Sequence, residues 1–124
     1  MDRILIIQDS PSVNAMLKFR LEAEGFSVES AETGEEGIDK TRGGHYQLVL
    51  LDYKLPGMNG DQVCRILKKE SHTRNTPIVL ISAQDEDKLG QLTKEVGADG
   101  YIGLPLDGKK LVERIKGFLK KGGP

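Results

Sequence analysis

Along the chain, short apolar runs alternate with longer stretches in which apolar residues return every third or fourth position. The runs fall at Arg3 to Ile7, Phe26 to Ala31, Leu48 to Leu51, Pro77 to Ile81 and Gly100 to Ile102. Three of them contain ILII, LVLL and IVLI, continuous rather than alternating, which predicts strands covered on both faces, as in a parallel sheet. The stretches between them carry helical periodicity, as with Val13, Met16, Leu17 and Leu21 in the first. Helix ends are marked as well. Pro11 after Ser10 suits a first turn, Thr33 and Glu36 have capping-box spacing, and Asp107 suits the cap of the last helix. Gly25 and Gly97 fall where helices should close. Five successive βα units imply right-handed crossovers and a doubly wound sheet, whose ligand crevice lies at the carboxyl ends of the strands.

Composition narrows the class. The 124 residues suit one domain, and 37% hydrophobic with 30% charged residues is ordinary for a chain with a packed core. With 18 basic and 19 acidic residues there is no excess positive charge to hold a polyanion, so nucleic acid is not expected as a direct partner. No apolar run approaches the roughly 20 residues that cross a bilayer, and MDRILIIQDS reads as a strand rather than a leader. Cys64 is the sole cysteine, which excludes an intramolecular disulfide or a multi-cysteine zinc site and points to a reducing cytoplasm. Residues 1–120 are expected to form the domain, with 121–124 a tail or the start of a linker.

Other features read as structure rather than chemistry. His45 and His72 have no second ligand at metal spacing and no adjacent acid, and are expected at the surface. Cys64 sits at a helical position and is expected to pack. No phosphate-binding glycine motif follows a strand, and the charges in KKESHTR and DEDK suit solvated helix faces.

Candidate chemistry lies at the strand ends, where Asp9 follows RILII, Asp52 follows LVLL and Ser82 follows PIVLI. A doubly wound sheet brings these positions to one crevice. Two carboxylates there repel each other, a cost that a divalent cation with oxygen ligands, Mg²⁺ first, offsets. Either carboxylate has the makings of a nucleophile toward a phosphoryl donor, with a hydroxyl such as that of Ser82 bonding the phosphoryl oxygens. Each residue taken alone also suits a cap or a turn. The turn-rich loop DYKLPGMNG beginning at Asp52 adds weight to the functional reading, because loops at this end of such sheets carry function.

These segments resemble the response-regulator receiver domains of two-component phosphorelay systems over essentially the whole chain. LVLLDYKLPGMNG resembles the segment around the phosphorylated aspartate, PIVLISA the fourth strand with its switch hydroxyl, GADGYIGLP the fifth strand, and EGFSVESAETGEEGI the second strand and helix. The resemblance implies a flavodoxin-like (βα)5 fold with strand order 2-1-3-4-5, and a signalling switch rather than an enzyme. It implies Asp52 as phosphoacceptor, Ser82 as switch hydroxyl and Tyr101 as switch aromatic. It implies Mg²⁺ at Asp9, Asp52 and the Lys54 carbonyl, a histidine kinase or phosphotransfer protein as donor, and a downstream protein on the 84–119 face.

Two positions depart from the family pattern. Gln8 stands where the family carries the first of two acidic residues, and is expected to reach the metal only weakly, through water. Leu104 stands at the lysine that contacts the phosphoryl group. Resting charge is unchanged, because three carboxylates and a lysine there become two carboxylates here. Phosphorylation adds roughly one to two negative charges that no lysine at 104 meets. Lys54, two residues after Asp52, is a candidate substitute cation. Two rivals follow: a phosphorylation-independent pseudo-receiver acting as an interaction module, favoured by Leu104, and an aspartyl phosphohydrolase, for which Lys54 is a poor general acid.

Overall fold

The computed structural model describes residues 2–82, 86–104 and 107–121, with the side chains of Glu86 and Lys121 left aside. Strands and helices alternate as β1 (Arg3–Ile7), α1 (Pro11–Ala23), β2 (Ser27–Ala31), α2 (Gly34–Gly43), β3 (Leu48–Asp52), α3 (Gly60–Lys69), β4 (Ile78–Ser82), α4 (Glu86–Val96), β5 (Gly100–Gly103) and α5 (Gly108–Lys121). The strands form one parallel sheet in the order β2-β1-β3-β4-β5, the flavodoxin-like arrangement. Of the expected tail, residues 122–124 lie outside the described residues.

The continuous apolar strands split between two cores because successive side chains leave opposite faces. Leu5, Ile7, Val49, Leu51, Ile78 and Leu80 pack with Ile38 of α2, Val63, Cys64 and Leu67 of α3, and Val96 of α4. Ile4, Ile6, Leu48, Leu50, Val79, Ile81 and Ile102 pack with Leu17 and Leu21 of α1 and Leu111, Val112 and Ile115 of α5. An alternating pattern would have served only one of these faces.

Local signals hold with small differences. Ser10 Oγ accepts from Val13 N, Asp107 Oδ1 accepts from Lys110 N at 3.0 Å, and Gly25 and Gly97 take φ of +93° and +78°. Thr33 Oγ1 accepts from Glu36 N, but the Glu36 carboxylate accepts from Glu32 N, one residue before the cap, instead of closing the box. Met16 does not join the buried face of α1. It is 43% exposed, and Asn14 is buried in its stead with Leu17 and Leu21.

Cys64 is fully buried, and burial raises its thiol pKa to about 11, so it packs as expected. His45 and His72 are exposed, though His72 does have an acidic neighbour, Glu70, at 3.4 Å. Lys68 departs from the expected solvated face: its ammonium donates to Thr76 O at 3.0 Å and to Asp99 Oδ2, which also accepts from Ile78 N. That bridge ties α3 to the starts of β4 and β5.

The β3–α3 loop is held by close backbone contact. A Cβ on Gly60 would lie 2.7 Å from Tyr53 Cα and 2.8 Å from Asp52 O, while Gly60 N donates to Tyr53 O. Gly60→Ala should therefore destabilise the fold by about 1–3 kcal/mol. Gly117→Ala in α5, where nothing lies within 4 Å of the added methyl, should stabilise it by about 0.5–1 kcal/mol. Urea unfolding of the two variants measures both signs.

Candidate phosphoryl-acceptor site

The carboxyl ends of β1, β3, β4 and β5 carry the site. Register pairs Ile7 with Leu51, so Gln8 and Asp52 are the next neighbours on adjacent strands. Asp52 pairs with Ile81 and Ser82 with Gly103, so Ser82 ends β4 one position beyond Asp52's partner. Asp52 is partly buried, Asp9 exposed, Gln8 buried and Ser82 buried.

Three groups of hydrogen bonds hold this end of the sheet. Gln8 N continues the ladder to Ala31 O at 3.0 Å, Gln8 O accepts from Asn14 Nδ2 at 2.6 Å, and Gln8 Oε1 accepts from Ser10 N at 3.1 Å. Asp52 Oδ1 accepts from Lys54 N at 3.2 Å, and the Gln8 amide, its neighbour in register, lowers its pKa. Leu104 N donates to Ser82 O at 2.8 Å, docking the β5 end on β4.

Burial pushes the Asp52 carboxyl up to about 6, and the charge of Asp9 pushes the same way. The Lys54 N–H, the Gln8 amide and the Lys54 charge oppose them, the last being the smallest of these influences. The Lys54 side chain is exposed and acts on Asp52 through space. It is a weak stand-in for a lysine within the pocket.

The Leu104 side chain is partly buried against the core between the sheet, α1 and α5. The position that the family resemblance matches to a lysine is thus a packing position in this chain. Tyr101 is half-buried at the other side of β5, packed on the α2–α4 core. Its carbonyl accepts from Arg114, whose guanidinium carbon lies 5.8 Å from the Tyr101 and Phe118 ring centres. Within the 84–119 face, residues 84, 85, 105 and 106 lie outside the described residues.

Among the described residues, no group of three or more His, Cys, Asp or Glu side chains gathers into a metal cluster. Among the described residues, Asp9 and Asp52 bring two carboxylates to this end of the sheet, a donor type that fits Mg²⁺, which takes few protein carboxylates and keeps several waters. Burial is the larger cause of the raised Asp52 pKa, and the Asp9 repulsion that adds to it is one such a cation would relieve. Reading the sequence alone missed the anchors around Gln8, Asn14 and Ser10 N, because neither residue type announces that contact. Gly60, which lets the loop close onto Asp52, was visible only as a turn residue in MNG.

A raised carboxyl pKa means that folding favours the protonated form. That contribution is complete below 3.8 and is lost as pH rises through about 6. Asp52→Asn, measured without divalent cations, should therefore raise stability at pH 8 by roughly 1–2 kcal/mol, after discounting for partial solvation. It should change little at pH 4. Urea midpoints at the two pH values check this, and an equal gain at both would contradict it.

Comparison with known proteins agrees with this geometry. The sequence profile of the response regulator receiver domain matches residues 4–116. The phosphate regulon transcriptional regulatory protein PhoB of Klebsiella pneumoniae is 36% identical over 122 residues, which cover 98% of this chain and 53% of PhoB. The chain spans about half the length of the curated relatives it matches. A CheY-like receiver domain protein from Methanospirillum hungatei superposes with a TM-score of 0.88 at 30% identity, covering 98% of this chain and 96% of that one. The receiver domain of the sensor histidine kinase PA1611 from Pseudomonas aeruginosa, with a magnesium ion coordinated in its active site cleft, shares the fold. Its TM-score is 0.88 at 19% identity, with coverage of 96% and 98%. Fold, strand order and sequence thus converge: the chain belongs to the response regulator receiver domain family, the phosphorylation-driven switches of two-component signalling.

Proposed function

We propose that this receiver is phosphorylated on Asp52, and the observation that carries the reading is the placement of that carboxylate. It ends the central strand β3, partly buried, beside the charge of Asp9, with the Lys54 N–H bonded to it and the Gln8 amide next to it in register. A phosphohistidine on a histidine kinase or phosphotransfer protein is the donor. The nitrogen–phosphorus bond breaks as an Asp52 oxygen bonds phosphorus, and the imidazole leaves with the electron pair. Asp9, Asp52 and the Lys54 carbonyl would hold Mg²⁺, whose charge, when bound, neutralises the transferred group.

The chain's own residues do the rest. The Lys54 N–H and the Gln8 amide keep the carboxylate oriented. Ser82, buried at the end of β4, supplies a hydroxyl to the phosphoryl oxygens. Tyr101, on the next strand, carries the change toward α4 and α5 and so to a downstream protein on the 84–119 face. Two states separated by a few kcal/mol suffice for such a switch. A reducing cytoplasm suits the single buried thiol, and no described helix is long and apolar enough to cross a membrane.

The phosphorylation-independent alternative draws chiefly on Leu104. It leaves the costly juxtaposition of Asp9 with a partly buried Asp52 without a purpose. Intact-protein mass spectrometry after incubation with Mg²⁺ and a small-molecule phosphoryl donor decides between the two. One added phosphoryl group is expected, dependent on Mg²⁺ and absent from Asp52→Asn. No gain in the parent protein would overturn the proposal.

A further inference from the structure

Gln8 and Leu104 are two departures in one pocket, and the structure relates them. Strand alternation puts position 8 on the side of Ile4 and Ile6, position 52 on the side of Leu48 and Leu50, and position 104 on the side of Ile102. All three fall on the face covered by α1 and α5, and the Leu104 side chain has gone into that core. No ammonium reaches Asp52 from position 104.

The orientation of the Gln8 amide follows from what surrounds it. Ser10 N is a donor and needs an oxygen, which is Gln8 Oε1 at 3.1 Å. The Asp52 carboxylate, next to Gln8 in register and on the same face of the sheet, accepts and needs an N–H, and the other end of the same amide is the donor beside it. Only one orientation satisfies both. The side chain is 6% exposed, and its backbone is pinned on both sides, by Ala31 O and by Asn14 Nδ2. An acid at this position would still accept from Ser10 N but would have nothing to donate to Asp52.

We infer that Gln8 takes over the donor role vacated at position 104: its amide N–H holds the Asp52 carboxylate and then the oxygens of the aspartyl phosphate. Gln8 is thus a residue of the phosphoryl pocket rather than a water-mediated metal ligand, and the two substitutions are a matched pair. The inference rests on Asp52 being the phosphoacceptor.

Two NMR measurements on the full chain test it. In the metal-free protein, the Gln8 side-chain amide resonances should shift on Asp52→Ala and stay in place on Asp9→Ala. Beryllofluoride with Mg²⁺, a phosphoryl mimic, is then titrated into the parent protein, Gln8→Glu, Leu104→Lys and the double variant. On the parent background, Gln8→Glu should weaken the mimic by roughly tenfold or more, the scale of a lost hydrogen bond to a charged group. Mg²⁺ alone should bind more tightly, because a carboxylate has been added. With Lys at 104, the same Gln8→Glu change should be neutral or favourable. Gln8→Met, which removes the donor without adding charge, should also weaken the mimic.

A metal-bound-water role predicts that Gln8→Glu strengthens mimic binding on both backgrounds, and that result would overturn the inference. So would Gln8 amide resonances indifferent to Asp52 while the parent protein binds the mimic normally. If the amide follows Asp52 but the parent protein takes up no mimic, the phosphoacceptor reading falls, and the phosphoryl role of Gln8 falls with it.

Discussion

The structure depends on a sheet that is apolar on both faces. Twelve side chains of β1, β3 and β4, from Ile4 to Ile81, are fully buried, leaving no room for polar groups along the strand interiors. Polar chemistry is confined to the strand ends, where the backbone turns toward helices and the ladder still has hydrogen bonds to give. Asp52 stands at that boundary. It is the last residue of the central strand, near enough to the core to lose solvation and near enough to the surface to be reached. The charge cost of that position is the physical basis of the site.

The surroundings of Asp52 are organised around that cost. Asp9 adds to it, while the Lys54 N–H and the Gln8 amide reduce it without introducing a fixed positive charge into the crevice. Gln8 can serve only because its own main chain is held by Ala31 and Asn14 and its oxygen by Ser10 N. Leu104 meanwhile packs, partly buried, against the core under α1 and α5. Among the described residues, the crevice carries the Asp9 and Asp52 carboxylates, the neutral Gln8 amide and the exposed Lys54 at its rim.

The fold was legible because its signals are local and mutually consistent. Unbroken apolar runs mark two-faced strands, and Ser10, Pro11, Thr33, Asp107 and the two left-handed glycines mark helix ends. Asp9, Asp52 and Ser82 were legible as strand-end polar residues. Three features were not. The reach of Lys68 to Thr76 and Asp99 spans elements distant in sequence. Asn14 replaces Met16 on the buried face of α1 because it is needed at Gln8 O, a contact that apolar periodicity cannot express. The direction in which the Gln8 amide faces depends on Ser10 N, which residue identity does not reveal.

Asp9 and Asp52, without a third carboxylate, are proposed to make a working cation site around the acceptor carboxylate. Thermal unfolding at pH 8 across a Mg²⁺ titration tests it most directly. The parent protein should show a saturable rise in Tm that is lost in both Asp9→Asn and Asp52→Asn. A parent protein indifferent to Mg²⁺, or a rise that survives in either variant, would contradict it.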